Sequence, residues 1–526
     1  MQQQASLVEY GSRRVIITIT AIVCAVLEIV DTTIVNVALP DMKGNLGATT
    51  TEIGWVVTAY AIGNVIIVPM TSWLSAQFGR RNYFAVSIMI FTVFSFLCGN
   101  ATGIWELVIF RFIQGLGGGA LLVTSQTIIT ESYPPDKRGM AQAIYGLGVI
   151  VGPTLGPPLG GYITENFSWP YIFYINIPLG VIAALLTLQF VRSPKYAEKS
   201  SMSDVDWLGI GLLATFVGCL QYILEKGQDD DWFNNTTIVI LTVIATFGFF
   251  FFIWRELTFR NPVVNLRVLK NSNLRVGTIL SFILGFGLYS STFIIPLYTQ
   301  TLLNWTPTQA GLLLVPAALM TAFMMPIIGR LLQKGVPQQY LVALGMFLFA
   351  IFCFFGYKIL TPDTSSDSFF WMLMVRGVGM GMLFIPITTL ALSTLKGREI
   401  GEGAAFTGMM RQLGGSFGVA LVTTFMARQT VLHQTTVGNH LDKFDPHVQS
   451  QVAMYRSAFI AKGFPPNIAE MDAYKALQGA VMRQAAVLSY MDVFLYIGIL
   501  FLLCIPFVLM VKGNRGKSKL DLSAAH

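Results

Sequence analysis

Charge is scarce in this sequence. Only 12% of its 526 residues are Asp, Glu, Lys or Arg, and 54% are hydrophobic, whereas a soluble domain carries about 25% charged residues. No soluble arrangement hides so much apolar sequence, so the solvent over most of the surface must be lipid. Cysteine is sparse too. All five (Cys24, Cys98, Cys219, Cys353 and Cys504) fall in apolar runs, which predicts neither disulfides nor a metal cluster. His433, His440 and His447 are seven residues apart, a spacing that makes no compact metal site, so no metal and no cofactor are expected. H-E-x-x-H and Walker A sequences are missing, which removes two enzyme classes and makes an ion gradient the plausible energy source.

What is present is a succession of apolar runs. Spanning a bilayer takes about 20 helical residues. About fourteen segments qualify: near 15–38, 52–75, 83–100, 104–128, 139–163, 169–191, 206–224, 236–254, 275–300, 307–330, 339–359, 369–394, 402–427 and 487–511. The expected class is an all-α polytopic membrane protein. The opening "MQQQASLVEYGSRR" does not read as a cleavable signal, because the apolar stretch behind it is too long and lacks a small-residue cleavage site.

Basic residues set an expected orientation. The loops on the side of the termini, with the termini themselves, hold 22 Lys and Arg, against Lys43, Lys226 and Lys358 in the short loops opposite. The positive-inside rule then places both termini in the cytoplasm. The net charge of +7 comes from this bias and implies no nucleic-acid partner.

Three landmarks recur about 260 residues apart. "SWLSAQFGRR" (72–81) is echoed by "GRLLQKGVPQ" (329–338), and "VIFRFIQGLGGG" (108–119) by "LMVRGVGMGM" (373–382), with Arg111 and Arg376 in step. The glycine-rich fifth span is answered by "GEGAAFTGMMRQLGGSFG" (401–418). Such periodicity predicts two six-span halves, 1–200 and 261–526, with two linker spans inserted at 201–260. Duplicated halves around a midplane site are the architecture of secondary transporters.

Several tracts then resemble one family. "DTTIVNVALP" in span 1, "RFIQGLGGG" in span 4, "GVIVGPTLGPPLGG" in span 5, "LSAQFGRR" after span 2 and "YINIPLG" (174–180) look like the signature motifs of the major facilitator superfamily. Together they resemble its 14-span drug:proton antiporters of the EmrB/QacA type. The resemblance covers nearly the whole chain. It implies a major facilitator fold, proton-driven multidrug export of amphipathic compounds across a bacterial inner membrane, and a tripartite pump with a periplasmic membrane-fusion adaptor (EmrA-like) and an outer-membrane channel (TolC-like). Two departures stand out. Ser72, Ala76 and Gln77 replace the family's glycine, acid and base before Gly79, Arg80 and Arg81, which weakens a charge-relay role for this cytoplasmic gating loop. Span 10 (310–329) lacks the acid of members that export dications.

The residues that raise chemical questions are those polar within lipid. Glu28 and Asp31 lie three apart in an apolar run and share one helix face. An intramembrane charge costs about 2.5–3.5 kcal/mol at a helix centre on insertion scales, so Arg111 should meet a carboxylate. The resemblance marks Asp31 as the principal proton-coupling residue, with Arg111 beside it; Glu28 either assists coupling or attracts cationic drugs. Asn36, Gln126, Tyr289, Met380, Arg411 and Gln412 are the candidates to line a substrate cavity, and the second half's many methionines suit a pliable one. Gly148, Gly152, Gly156 and Gly160 recur every four residues, with Pro153 and Gly161 alongside. Such a stripe lets backbones approach closely, and the family's antiporter motif makes it the expected seam between rocking halves. "GLGGGA" (115–120) fits a dinucleotide fingerprint but sits inside a span, where no strand precedes it. The polar stretch 428–486 is expected to be an external loop, with a helical pattern over 469–491 that offers the adaptor a surface.

Other functions remain open on sequence. A dedicated exporter of one metabolite, such as a siderophore or fatty acid, has the same architecture. A lipid scramblase or membrane enzyme is the alternative of a different class; a scramblase needs no gradient.

Overall fold

Lipid demands that every backbone group be paired within its own segment, and the chain answers with helices alone. The computed structural model describes residues 7–134, 137–194, 205–442 and 444–510, and all regular elements among them are helical. The expected boundary at 200/201 and the last residue of the final expected span lie outside the described residues. The first half of the chain forms α1 (Gly11–Asn45), α2 (Thr50–Phe78), α3 (Arg80–Gly99), α4 (Ile104–Ser132), α5 (Arg138–Asn166), α6 (Tyr171–Tyr174) and α7 (Asn176–Phe190). Next come α8 (Trp207–Lys226) and α9 (Thr236–Thr258). The second half supplies α10 (Ser272–Thr301), α11 (Pro307–Leu313), α12 (Val315–Gln333), α13 (Gln338–Ile359), α14 (Ser366–Leu392), α15 (Arg398–Asn439), α16 (Pro446–Ala461) and α17 (Pro466–Met510).

Local chemistry explains the helix starts. Thr49 and Glu52 form a reciprocal capping box at α2, and Thr306 with Gln309 does the same at α11, where Pro307 occupies the first turn. Gly79 joins α2 to α3 at φ 79°, a conformation that a β-carbon would strain.

Twelve helices among the described residues are long and apolar enough to cross a membrane, with α6–α7 and α11–α12 each counting as one. The sequence expectation of fourteen also includes α5 and α15. Both are long (29 and 42 residues) and packed among the others, but they carry the proline-rich tract and Glu402, Arg411 and Arg428 respectively. The exposed Leu, Phe, Ile and Trp side chains of α3, α7, α9 and α13 fit a lipid-facing surface.

Packing repeats along the chain. α1 lies on α5 as α10 lies on α15, α2 on α4 as α12 on α14, and α3 on α4 and α7 as α13 on α14 and α17. The two sets meet where α5 touches α11, α12 and α14, and where α15 touches α2 and α4. α8 bridges them. Its Gln221 Nε2 donates to Ser416 Oγ of α15 at 3.0 Å, and its Tyr222 ring lies 5.3 Å from Trp55 of α2.

The expected external loop is instead largely helical. At 1.5 Å per residue, α15 and α17 are about 63 and 68 Å long, twice the ~30 Å hydrocarbon thickness. Their excess length, together with α16, projects beyond the bundle. Pro446 starts α16 rather than breaking a helix, because Asp445 caps it and Pro is tolerated in the first turn. Thr430 Oγ1 to Ser489 Oγ at 3.0 Å and His433 Nε2 with Asp492 Oδ2 at 2.7 Å tie α15 to α17 at the base of this projection.

Candidate functional site

Asp31 sits mid-way along α1, fully buried. Arg111 of α4 reaches it with Nη1 at 2.6 Å from Oδ2. Oδ1 accepts from Gln114 Nε2 at 3.0 Å and from Asn176 Nδ2 at 2.8 Å, and both amides also meet Ser95 Oγ, at 3.0 and 2.9 Å. Arg111 further donates to Gln114 Oε1 at 2.7 Å and to the Val56 carbonyl at 3.3 Å, and its guanidinium lies 4.1 Å from the Tyr60 ring centroid. Five helices (α1, α2, α3, α4 and α7) thus converge on one ion pair. Desolvating two charges costs several kcal/mol per ion, repaid only when geometry is good and the remaining polar positions are satisfied. Here they are. The network reads as an anchor that holds the first half together.

Glu28, one turn earlier, lives differently. Its Oε1 accepts from Asn64 Nδ2 of α2 at 2.8 Å. Electrostatically it faces Arg411 of α15, on the other half. Tyr145 of α5 and Tyr289 of α10 stand within reach of both charges, and the Arg411 guanidinium lies 5.3 Å from the Phe384 ring centroid of α14. A buried acid on one set of helices and a buried base on the other therefore lie close enough to feel each other's charge, with aromatic rings nearby.

Of the residues expected to line a cavity, Tyr289 and Arg411 come to this place, and Asn36 and Gln126 find partners elsewhere. Gln412 follows Arg411 directly, and adjacent helix residues point about 100° apart. Asn36 is exposed two turns beyond Glu28, its amide bonded to the Thr32 carbonyl of its own helix at 3.3 Å. Gln126 pairs with Gln142 of α5 at 3.3 Å. Met380 is buried in the same apolar cluster as Tyr145 and Phe384, one helical turn before Phe384. Sequence reasoning missed Tyr60, Asn64, Tyr145 and Phe384, which carry no motif, and Asn176, although it lies inside the quoted "YINIPLG".

The glycine stripe is close-packed, but against α1 rather than along the seam. A β-carbon at Gly148, Gly152 or Gly160 would meet Ile22, Ile29 or Ile34, and one at Gly156 would strike Thr33. The seam between the sets lies on the neighbouring face: Gly161 against Thr308, Pro157 and Pro158 against Gly311, Gly146 against Phe384 and Met325. The reason is periodic. A four-residue repeat fixes one face of a 3.6-residue helix, and that face belongs to α1. Pro153 is half-buried beside it. Accordingly, Gly156→Leu is expected to cost about 1–3 kcal/mol by overpacking, read as a lower thermal midpoint of the purified protein. Gly311→Leu would press on the Pro157 and Pro158 rings across the seam, so it should cost less stability than Gly156→Leu, because the two sets can part there, and slow transport. Equal effects of both on stability would erase this distinction.

At the Gly79 turn, Arg80 forms a buried ion pair with Glu131 at the end of α4, and the Arg81 backbone N–H donates to Ser193 Oγ at 3.1 Å. The basic tract is thus held by an acid at the end of the next helix, α4. Arg376 meets no acid among the described residues. Where Arg111 finds Asp31, Arg376 finds Ser291 Oγ at 2.9 Å and Thr292 Oγ1 at 2.6 Å, Ser291 lying 260 residues after Asp31. One hydrolase-like pattern occurs, Gly414-Gly415-Ser416-Phe417-Gly418. It lies inside α15, not at a strand–helix elbow, and Ser416 bonds the Gln412 carbonyl and Gln221.

The family model described as Major Facilitator Superfamily matches residues 21–419. This chain belongs to the major facilitator superfamily. It is therefore a multi-pass membrane protein of a transporter family. It is 34% identical over 498 residues to the fatty acid resistance protein FarB of Neisseria gonorrhoeae, covering 94% of this chain and 96% of that one. It is also 34% identical over 458 residues to the multidrug export protein EmrB of Escherichia coli K12, covering 86% and 87%. The proton:xylose symporter XylE superposes with a TM-score of 0.57 at 15% identity over 94% of this chain and 96% of that one. At that identity the likeness concerns the fold alone.

Proposed function

We propose that this facilitator exports amphipathic compounds from a bacterial cell in exchange for protons, as the inner-membrane member of a tripartite pump. The observation that carries the reading is that Glu28 and Arg411, opposite charges buried on the two sets of helices, sit within electrostatic range of each other at the interface that must open and close during alternating access. Proton entry from outside neutralises Glu28, and re-exposure inward releases the proton as substrate takes its place. Glu28 suits this task better than Asp31, the residue the family resemblance favours, because Asp31 accepts hydrogen bonds on both oxygens inside one half. Residues 1–200 and 261–526 form the two moving halves in this scheme, 201–260 the linker, fourteen helices cross the membrane, and both termini are cytoplasmic. The 34% identity to a fatty acid resistance protein supports a second reading, export of fatty-acid-like metabolites.

The test is efflux from proteoliposomes under an imposed pH gradient. Amphiphile export that is indifferent to collapse of the gradient removes the coupling claim. The projection of α15, α16 and α17 is the proposed adaptor surface. Replacing 440–465 with a short Gly-Ser turn should leave transport in proteoliposomes intact and abolish resistance in cells. Full resistance at normal expression would exclude an adaptor seated there.

A further inference from the structure

We infer that the amide pair Gln126–Gln142 is the inner gate on the proton path of Glu28. Paired as here, the amides keep water on the side of the termini away from the acid; parted, they let its proton leave that way. The inference rests on the proton-exchange reading above. One face of α4 carries the path. A β-carbon at Gly118 would lie 3.5 Å from Glu28 Cγ. A turn further on, the Leu122 carbonyl accepts from the Tyr145 hydroxyl of α5 at 3.0 Å, and that tyrosine feels the charges of both Arg411 and Glu28. At the next turn Gln126 Nε2 donates to Gln142 Oε1 of α5 at 3.3 Å, and Gln142 Nε2 donates to Thr130 Oγ1 at 2.6 Å. Gly118, Leu122, Gln126 and Thr130 follow at four-residue steps, so they trace a shallow spiral that descends about 18 Å.

Beyond this rung lies a cavity. Thr130, Arg138 and Gln142 form one wall, while Gln333 of α12, Thr389 of α14 and Ser393 form the other. Its volume is about 160 Å³, room for several waters, since one water needs roughly 10–15 Å³. The two walls belong to different sets of helices, so the cavity widens when the sets part. Arg138 Nε and Thr389 Oγ1 beside it, and Gln126 Oε1 in the rung, are buried without a partner among the described residues. Such groups cost free energy that water arriving from the cavity would return. On the other side of Glu28 its own helix face is already open: Thr32 is half-buried and Asn36 exposed. The rung is therefore the closure between that approach and the cavity. Amides suit a gate because they do not titrate, so no proton rests on them.

The experiment uses full-length protein in proteoliposomes with a trapped pH-sensitive dye and a clamped membrane potential. Without substrate, a pH step should decay several times faster through Gln142→Ala than through the wild type, because water fills the space left beside Gln126 and Thr130. Adding Glu28→Gln should suppress that leak. Gln142→Leu fills the space without a polar atom and should not leak. When alkyltrimethylammonium ions drive the exchange, Gln142→Leu should move protons several-fold more slowly than the wild type, yet run gradient-free counterflow near the wild-type rate. A rung that merely staples α4 to α5 gives another pattern: no leak, with coupled flux and counterflow falling together as the thermal midpoint falls. That pattern, or a leak indifferent to Glu28→Gln, overturns the gate. A tight Gln142→Ala in a working exchanger sinks the gate and keeps the exchange reading. A wild type that moves no protons against any of these ions, beside a leaking Gln142→Ala, keeps the gate and sinks the exchange reading.

Discussion

Glu28→Gln is expected to abolish uphill export while leaving the protein folded and able to exchange substrate downhill. Gln has the shape of Glu, so the Asn64 amide keeps an oxygen to donate to, and the burial that Glu28 shares with Gly118 and Tyr60 is undisturbed. What disappears is the exchangeable proton. One elementary charge moved through 100 mV is worth about 2.3 kcal/mol, which sustains about a fifty-fold concentration ratio, since about 1.36 kcal/mol is a factor of ten. The variant should therefore accumulate substrate only to equality across a proteoliposome membrane, where the wild type reaches tens of fold. Counterflow with no gradient should run at a rate close to wild type. An unreduced accumulation ratio in Glu28→Gln would move the coupling proton elsewhere, and the first place to look would be Asp31.

Much of this molecule is legible in its sequence. Every expected span falls on a helix, because about 20 apolar residues in lipid have few other options. The meeting of Arg111 with Asp31 is foreseeable because a lone charge in hydrocarbon must find its opposite. The neighbours of that pair are not. Gln114, Ser95 and Asn176 are ordinary residues until three-dimensional register brings both amides within 3.0 Å of Ser95 Oγ. The glycine stripe shows the same limit from another side. Sequence says that α5 has a close-packing face, but in a bundle where all faces are apolar it does not say which helix arrives there. Glu28 stands out as an anomaly and its partner does not, since Arg411 lies 383 residues away on the other half and no pattern joins them. The projection escapes a hydropathy reading because hydropathy reports where lipid ends, not where helix ends: α15 and α17 continue as polar helices after they leave the apolar zone.

The anchor reading of Asp31 makes the second large prediction. Asp31→Asn leaves Arg111 buried with amides and a carbonyl for company, and breaking a buried pair by removing one member typically costs about 3–5 kcal/mol. The new amide can keep its oxygen for the Gln114 and Asn176 amides only by turning its NH2 toward the Arg111 guanidinium, donor against donor. Arg111→Gln should cost a similar amount by stranding the carboxylate. Together the two changes should cost much less than their sum, because no ion is then left unpaired. The measurement is the thermal unfolding midpoint of purified protein for the wild type, both single variants and the double. A strongly sub-additive cycle, with transport falling in step with folded protein, is the expected result. If Asp31→Asn instead unfolds at the wild-type midpoint and still loses gradient-driven export, then Asp31 is the coupling acid that the family resemblance marked, and the five-helix network around it serves proton transfer rather than assembly.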